Sequence, residues 1–266
     1  MKAFMSRAGF RGVTLIAALV AVGLLGYTAH AGKTPVAGKV TFLKGKAQRG
    51  PGPEGPWKRL KKNKKVNVGE YIKTEDDSRL ELRFVDDSVV RVAANSLFHV
   101  ADASVDVKRK DRKVSAALVA GKAWAKVSTV VGSENKFEVK TENAVAGVRG
   151  TTFRIESLED KATLIKVYAG AVAVSNAPYF AKEKAAATAD TGPIDFKNRK
   201  PVAAPFKEVS KKEWEQLCGE WMAVKVAADG TMAPAFKFAK AEDLEAEPDW
   251  IGWNIERDQA LGTKYE

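Results

Sequence analysis

Residues 79–84 read RLELRF, a run in which charged and apolar side chains alternate one by one. A period of two is typical of a half-buried β-strand, because successive side chains of a strand point to opposite faces. Residues 136–140, KFEVK, repeat the alternation. We expect one set of side chains to point into a core: Leu80, Leu82, Phe84, Phe137, Val139, Phe153 and Ile155. A second set should point outward: Arg79, Glu81, Lys136 and Glu138.

Similar short strand patterns run from Val36 to about Ser175, with turn residues between them at fairly regular spacing. The stretches 76–78 and 86–88 both read Asp-Asp-Ser, and the ligand spacing of a calcium loop is absent. They favour hairpin turns, because Asp bonds to its own backbone and tolerates a left-handed conformation. The sequence therefore predicts a mostly β protein with a single β-rich barrel, sandwich or coiled-sheet domain over residues 32–176.

The composition changes after this region. Residues 177–209 are rich in Ala and contain several Pro, which is typical of a flexible linker. Residues 210–266 form a C-terminal extension that opens with a capping box, Ser210 to Glu213. An apolar stripe at helical spacing follows: Trp214, Leu217, Cys218 and Trp221. We predict a short amphipathic helix from Lys211 to about Ala223.

This predicted helix has two interpretations that the sequence leaves open. Trp214, Leu217 and Trp221 would cover the β-domain of their own chain, or they would enter a groove on a partner protein. Cys218 lies on the same stripe and is interpreted as a small buried apolar residue rather than a nucleophile. His99, between Phe98 and Val100, is interpreted as a strand residue.

The first 31 residues have the three-part layout of a secretory signal peptide. Basic residues precede an apolar stretch at 13–25, and Ala29 and Ala31 stand where a signal peptidase reads small residues. The apolar stretch is shorter than the ~20 residues of a membrane-spanning helix. We predict cleavage after Ala31 and a periplasmic or secreted protein without a stable membrane span. The alternative is anchoring by an uncleaved N-terminal segment.

The net charge is +11, from 44 Lys and Arg against 33 Asp and Glu. An exported basic chain is expected to meet an envelope protein or an anionic envelope polymer rather than nucleic acid. One Cys and two His exclude a disulfide framework and leave little for a zinc site or a Ser-His-Asp triad. We therefore predict a non-enzymatic protein with no catalytic residue, metal or cofactor.

The densest basic cluster lies at residues 57–65 and includes one aromatic side chain. Basic residues beside an aromatic ring can bind phosphate and stack a base or sugar, although a run of charge is more often simply solvated. The candidate anionic-ligand patch consists of Trp57, Lys58, Arg59, Lys61, Lys62, Lys64 and Lys65. Residues 50–55 match G-x-G-x-x-G, but two prolines remove the amide donors that a phosphate loop needs.

Five segments in a fixed order carry a family resemblance: 66–74, 78–88, 118–124, 141–155 and 168–174. Together they resemble the FecR-type domain, the domain of the iron-dicitrate regulator FecR, over about residues 36–176. The central segment reads TENAVAGVRGTTFRI and contains the family's Val-Arg-Gly-Thr-x-Phe strand. The motif residues, interpreted as mainly structural, are Thr141, Val148, Arg149, Gly150, Thr151, Phe153 and Gly170.

The resemblance implies a module for envelope sensing or signalling. The family's iron-transport regulators contact a sigma factor through a cytoplasmic segment before a transmembrane helix, and only about a dozen residues precede the apolar stretch here. We therefore do not predict sigma-factor regulation. The leading hypothesis is a non-catalytic exported module that binds a protein or an anionic envelope component. The alternatives are a structural cell-envelope protein and, less favoured, an exported hydrolase of unrecognised type.

The export hypothesis makes a direct prediction: the mature chain begins at Gly32 and lies outside the inner membrane. Loss of residues 1–31 removes Lys2, Arg7 and Arg11 and no acidic residue, so the net charge falls from +11 to 11 − 3 = +8. N-terminal sequencing of the protein from the periplasmic or secreted fraction checks this. A chain in that fraction that still begins at Met1 would contradict it.

Overall fold

A computed structural model describes residues 35–106, 111–128, 136–176 and 215–265. All of these belong to one compact unit, residues 35–266. The predicted signal peptide and linker lie outside the described residues, so both remain predictions. Most of the described chain is strand, and the prediction of a mostly β fold with short C-terminal helices is confirmed.

The described residues contain seventeen strands and two α-helices. The first nine strands are β1 (Val36–Lys44), β2 (Ala47–Gly50), β3 (Lys58–Leu60), β4 (Lys65–Asn67), β5 (Tyr71–Thr74), β6 (Arg79–Phe84), β7 (Val89–Val92), β8 (Leu97–Asp106) and β9 (Asp111–Lys126). The next five are β10 (Lys136–Lys140), β11 (Ala144–Val148), β12 (Thr152–Ser157), β13 (Thr163–Ala169) and β14 (Val172–Asn176). The C-terminal elements are β15 (Glu215–Cys218), β16 (Met222–Val226), β17 (Phe236–Lys237), α1 (Lys240–Ala246), a π-helical turn (Pro248–Gly252) and α2 (Trp253–Ala260).

The strands form two layers that share the long strand β9. Layer A has the order β4-β1-β6-β7-β9-β12-β13-β16-β17. Layer B has the order β3-β2-β5-β8-β9-β10-β11-β14-β15, in which only the β9–β10 pair is parallel among the described residues. One strand therefore ties the middle of both layers together.

Strand β9 changes layer at Gly121. Its first part pairs with β8 and β10, and its last six residues pair with β12. Gly121 has φ +86°, and a Cβ there would lie 2.1 Å from the Ser96 hydroxyl oxygen. Only glycine combines this left-handed backbone with so close a neighbour.

The core lies between the layers. Phe84 of layer A meets Phe137 of layer B edge to face, with ring centroids 6.0 Å apart. All seven side chains that the alternation predicted to point inward are buried, which confirms the predicted face. The two Asp-Asp-Ser stretches are turns, as predicted, with Asp77 at φ 50° and Asp87 at φ 65°.

The outward prediction is wrong for Glu81, which is only 3% exposed. Its side chain does leave the core on the outer face of layer A. That face, however, is covered by the residues that follow β17. We call residues 240–265 the C-terminal cover. The alternation identified the correct face of the strand but contained no information about a second covering element.

The predicted helix over Lys211–Ala223 is wrong in the part that the structure describes. Residues 215–218 form strand β15, which pairs with β14, and Trp221 lies in a turn with φ 55°. Leu217 is 70% exposed while Cys218 is buried, which is the alternation of a strand. Gly219 and the left-handed Trp221 interrupt any helix, and pairing with the edge of layer B outweighs the helical spacing. Residues 210–214, including Trp214, lie outside the described residues.

The C-terminal cover packs on layer A through a second apolar cluster. Trp124 and Tyr168 from the sheet contact Trp250, Ile251 and Ile255 from the cover. Residues 215–265 therefore add strands to both layers, β15 to layer B and β16 and β17 to layer A. Their C-terminal part also buries the outer face of layer A. Among the described residues, no helix combines the length and apolarity that crossing a bilayer requires.

A buried ionic cluster centred on Arg91 fixes the cover to the sheet. The Arg91 guanidinium is fully buried and lies 2.8 Å from a Glu81 carboxylate oxygen and 2.7 Å from Asp258 Oδ1. The other Asp258 oxygen accepts hydrogen bonds from Trp124 Nε1 at 2.8 Å and from the Tyr265 hydroxyl at 2.7 Å. Burying these charges is tolerable only because they are paired.

A second polar cluster lies along the same interface. Asp243 of α1 accepts hydrogen bonds from Lys166 and from the Tyr168 hydroxyl. Glu247 lies 2.8 Å from the Lys122 ammonium and 3.3 Å from the Arg154 guanidinium. The cover is thus held by matched charges along its length and not by apolar contact alone.

The pKa of Glu81 makes the stability of this interface dependent on pH. Burial by itself would raise that pKa, but hydrogen bonds from Arg257, Arg91 and Thr41 outweigh it and lower the pKa from 4.5 to about 2. A lowered folded-state pKa stabilises the protein above pH 4.5, and the stabilisation is lost as the pH falls towards 2. The upper bound is about 3.5 kcal/mol, from about 1.4 kcal/mol per pKa unit.

We therefore predict that Glu81→Gln lowers the free energy of unfolding near neutral pH and flattens its decline between pH 4.5 and 2. Urea unfolding at several pH values measures both effects. Glu142→Gln, at an exposed position, serves as the control. Equal pH dependence in the wild type and in Glu81→Gln would contradict the assignment.

Candidate functional site

The basic cluster predicted from the sequence lies on two short edge strands, one in each layer, and on the turn that joins them. Strand β3 is an edge of layer B and pairs with β2, and strand β4 is an edge of layer A and pairs with β1. Leu60 and Val66 point into the core and anchor the hairpin. The turn between them is bound to β1, with Asn63 N–H donating to the Val40 carbonyl at 2.8 Å. We call residues 57–65 the basic hairpin for the reversal of the chain at this turn, although β3 and β4 pair with β2 and β1 and not with each other in the described residues.

The six basic side chains of this hairpin are exposed: Lys58, Arg59, Lys61, Lys62, Lys64 and Lys65. None of them makes an ion pair within the described part of the chain. Some surface cations elsewhere have acidic neighbours, such as Lys113 with Asp102 at 2.8 Å and Lys225 with Asp160 at 3.0 Å. The hairpin is therefore a concentrated positive surface that no described acidic residue neutralises, anchored in the core by Leu60 and Val66.

Trp57 lies at the start of this surface, but its ring already packs against residues of its own chain. A Cβ added at Gly50 would lie 3.2 Å from Trp57 Cε3, and one at Gly55 would lie 2.9 Å from Cδ1, so the ring packs on the 50–56 loop. The Lys73 ammonium lies 5.9 Å from the ring centroid. Trp57 is half-buried and acts mainly as a support for the loop.

The residues of the Val-Arg-Gly-Thr motif form the turn between β11 and β12. Gly150 has φ 63°, and the Thr151 hydroxyl donates to the Ala171 carbonyl at 2.7 Å. A Cβ at Gly170, where φ is 83°, would lie 3.0 Å from the Gly150 carbonyl oxygen. The motif thus joins this turn to the one between β13 and β14.

The remaining motif residues lie around this pair of turns. Val148 and Phe153 are buried, and Arg149 is exposed. The Thr141 hydroxyl bonds to Thr163 and to Asn143, at 2.7 Å and 3.1 Å. Each of these contacts is internal to the domain.

The side chains proposed as a partner helix do not form one surface in the described chain. Leu217 is exposed on edge strand β15, whereas Trp221 meets Phe238 and Tyr168 with ring centroids 5.7 Å and 5.8 Å away. Burial raises the pKa of the Cys218 thiol to about 11, which keeps it protonated. His99 is a strand residue, stacked on Tyr71 with ring centroids 4.1 Å apart, and burial lowers its pKa.

One cleft of about 590 Å³ lies where the C-terminal cover meets the sheet. Its carboxylates include Glu247, which is already paired with Lys122 and Arg154, and the exposed Asp77 and Asp249. The carboxyl groups with shifted pKa values, Glu81 among them, are all shifted downward in the described chain. A general acid requires the opposite shift. No group of three His, Cys, Asp or Glu side chains in the described segments is placed to hold a metal ion.

Sequence reasoning missed the charges under the cover, since Arg91 and Asp258 lie outside the quoted segments and Arg154 is not among the motif residues. The one available signal was the presence of Arg91 and Arg154 inside otherwise apolar strands, VVRV and TFRIES. A charge at such a position predicts a buried partner without identifying it.

Comparison with known proteins gives a family match for the middle of the chain. The family model described as FecR protein matches residues 70–173. A search of curated proteins found no match. Two crystal structures of a candidate anti-sigma factor from Parabacteroides distasonis ATCC 8503, at 1.65 Å and 2.50 Å resolution, match part of the chain. The TM-score is 0.41 for both, the identities are 16% and 15%, and the match covers 63% of this chain and 59% of that one.

The family match and the chain's own residues agree. The matched range contains the Val-Arg-Gly-Thr turn, the layer-changing strand β9 and the turn at Gly170. The basic hairpin precedes the matched range, and the C-terminal cover follows it. Residues 70–173 of this chain thus match the FecR family model, which is consistent with a FecR-type domain in this range.

Proposed function

We propose that this protein is a non-enzymatic, exported FecR-type module that binds an anionic component of the cell envelope through its basic hairpin and acts in envelope sensing or signalling. The FecR-type domain supports a regulator-like role in signalling or sensing. The observation that carries the binding proposal is the hairpin itself, with six exposed cations within eight residues that make no ion pair to any described residue.

Electrostatics explains why such a surface would bind a polyanion. Each basic residue near an anionic membrane surface contributes about 1 kcal/mol, and several on one rigid hairpin act together. The hairpin is tied to β1 and to the core, so its cations are presented without a large ordering cost. Salt weakens attraction of this kind, because the charges are exposed.

The alternatives draw on different features. A protein partner would use the exposed Leu217 on edge strand β15, where an extended segment can add to the sheet. A purely structural envelope protein would also use the basic hairpin but would transmit no signal. A hydrolase would need a carboxyl with a raised pKa, and the shifted carboxyls in the described residues are all lowered.

We predict that replacing four hairpin residues (Lys58, Arg59, Lys61 and Lys62) by Gln lowers retention on a washed envelope fraction by about tenfold or more at low salt. The matched control replaces four other exposed lysines by Gln: Lys44, Lys161, Lys237 and Lys264. Both variants lose four positive charges, so only the position differs. Co-sedimentation at ~0.05 M and ~0.5 M salt measures retention.

Equal retention of the hairpin variant and the control variant would contradict the proposal, as would wild-type retention that high salt leaves unchanged. Equal melting temperatures of the two variants establish that the difference is not one of folding.

A further inference from the structure

Three cations stand directly opposite one another on the outer face of layer A. Lys39 of β1 faces Lys65 of β4 on one side and Arg83 of β6 on the other. Neighbouring strands are about 4.8 Å apart, so the row is about 10 Å long. Like charges directly opposite each other on adjacent strands destabilise a sheet. We call Lys65, Lys39 and Arg83 the cation row.

The row is not neutralised from within the described chain. Lys39 and Lys65 are exposed and make no ion pair there. The partner of Arg83 is Asp87, at 3.9 Å and 73% exposed, which is a weak surface pair. The nearest acid along β6, Glu81, is already shared by Arg91 and Arg257.

A close approach of two strands brings the row together. A Cβ at Gly38 would lie 2.4 Å from the Arg83 carbonyl oxygen, so only glycine allows β1 and β6 to pair so tightly here. The row borders a shallow groove of about 250 Å³ that also includes Thr41 and two exposed apolar residues, Val36 and Val85. The arrangement is a concave, positively charged groove with an apolar rim.

Protection of a sheet edge does not explain these cations. Lysines on edge strands prevent sheets from adding to one another, and β4 is an edge. However, β1 lies between β4 and β6, and β6 lies between β1 and β7, so Lys39 and Arg83 are on interior strands. Their repulsion has no such benefit.

We infer that the cation row binds a phosphoryl group, one carried by the anionic component of the proposed function, on which this inference rests. A phosphoryl group has up to two negative charges and three oxygens, which match two ammonium groups and one guanidinium fork better than a single carboxylate does. The apolar rim suits the organic part of a phosphate ester. A lipid headgroup and a free or polymeric phosphate share this chemistry.

The test compares Lys39→Gln with the control Lys237→Gln, an exposed lysine on the opposite edge strand of the same layer. Melting temperatures are measured with and without inorganic pyrophosphate, against chloride at equal ionic strength. We expect pyrophosphate to raise the melting temperature of the wild type and the control by about 2 °C or more. Lys39→Gln should lose that response and should melt higher than the wild type without ligand, because repulsion is relieved.

Lys39→Gln is thus expected to raise the melting temperature without ligand and to abolish its increase with pyrophosphate. A variant that is simply less stable would have a lower melting temperature without ligand. Vesicles containing phosphatidylglycerol form a second arm of the experiment. A rise in melting temperature with pyrophosphate that requires Lys39 supports a free or polymeric phosphate as the ligand. A rise with vesicles that requires Lys39 supports a lipid headgroup. A wild type that responds to neither probe, or a Lys39→Gln variant that responds like the control, would overturn the inference.

The hairpin variant separates this inference from the proposed function, since it retains Lys65 and the whole cation row. If that variant loses envelope retention while Lys39→Gln keeps the pyrophosphate response, the phosphoryl site is wrong and the proposed function stands. If the response requires Lys39 while the hairpin variant is retained normally, the proposed function is wrong and the site stands.

Discussion

The guanidinium of Arg91 is fully buried on the outer face of layer A, and the packing of the C-terminal residues depends on what neutralises it. A lone buried cation would cost many kcal/mol, so the chain must bring carboxylates to it. Glu81 comes from the neighbouring strand, and Asp258 comes from helix α2, far away in the sequence. Pairing with Asp258 therefore ties the C-terminal cover to this place on the sheet, because moving α2 away would separate the carboxylate from the buried guanidinium.

The two ends of layer A differ in how their charged side chains are paired. Under the cover, at β7, β9, β12 and β13, cations and carboxylates lie within ion-pair distance of one another. At β4, β1 and β6 the cations of the row face one another without a strong partner in the described chain. The buried cations have carboxylates beside them, whereas the exposed cation row has only the weak Arg83–Asp87 pair in the described residues, which is why we propose ligand binding at this end.

Local patterns predicted the strands well, and nonlocal contacts account for what was missed. Alternation in 79–84 was enough to orient Leu80 and Phe84, because that pattern depends only on neighbouring residues. The burial of Glu81 depends on Arg257, 176 residues away, and no local pattern reports it. The predicted helix over Lys211–Ala223 fails for the same reason, since pairing with the edge formed by β14 outweighed a helical spacing at residues 215–218.

The candidate site also has one part that the sequence predicts and one part that only the structure shows. The hairpin cations were evident from the sequence alone, because they lie close together in it. The cation row was not, because Lys39, Lys65 and Arg83 meet only through the strand register. The bend of β9 at Gly121, which brings the two layers together, also required the structure, since one glycine in a strand pattern does not specify a change of layer.

The measurement that tests the central claim most directly is a double-mutant cycle with Arg91→Met, Asp258→Asn and the combined variant, followed by urea unfolding. If the buried pair fixes the cover, each single change costs about 3–5 kcal/mol, since it leaves one charge buried without its partner. The combined variant should then cost at least about 1 kcal/mol less than the sum of the two single changes. Single variants within about 0.5 kcal/mol of the wild type, or strictly additive losses, would contradict the claim that this pair holds the cover on the sheet.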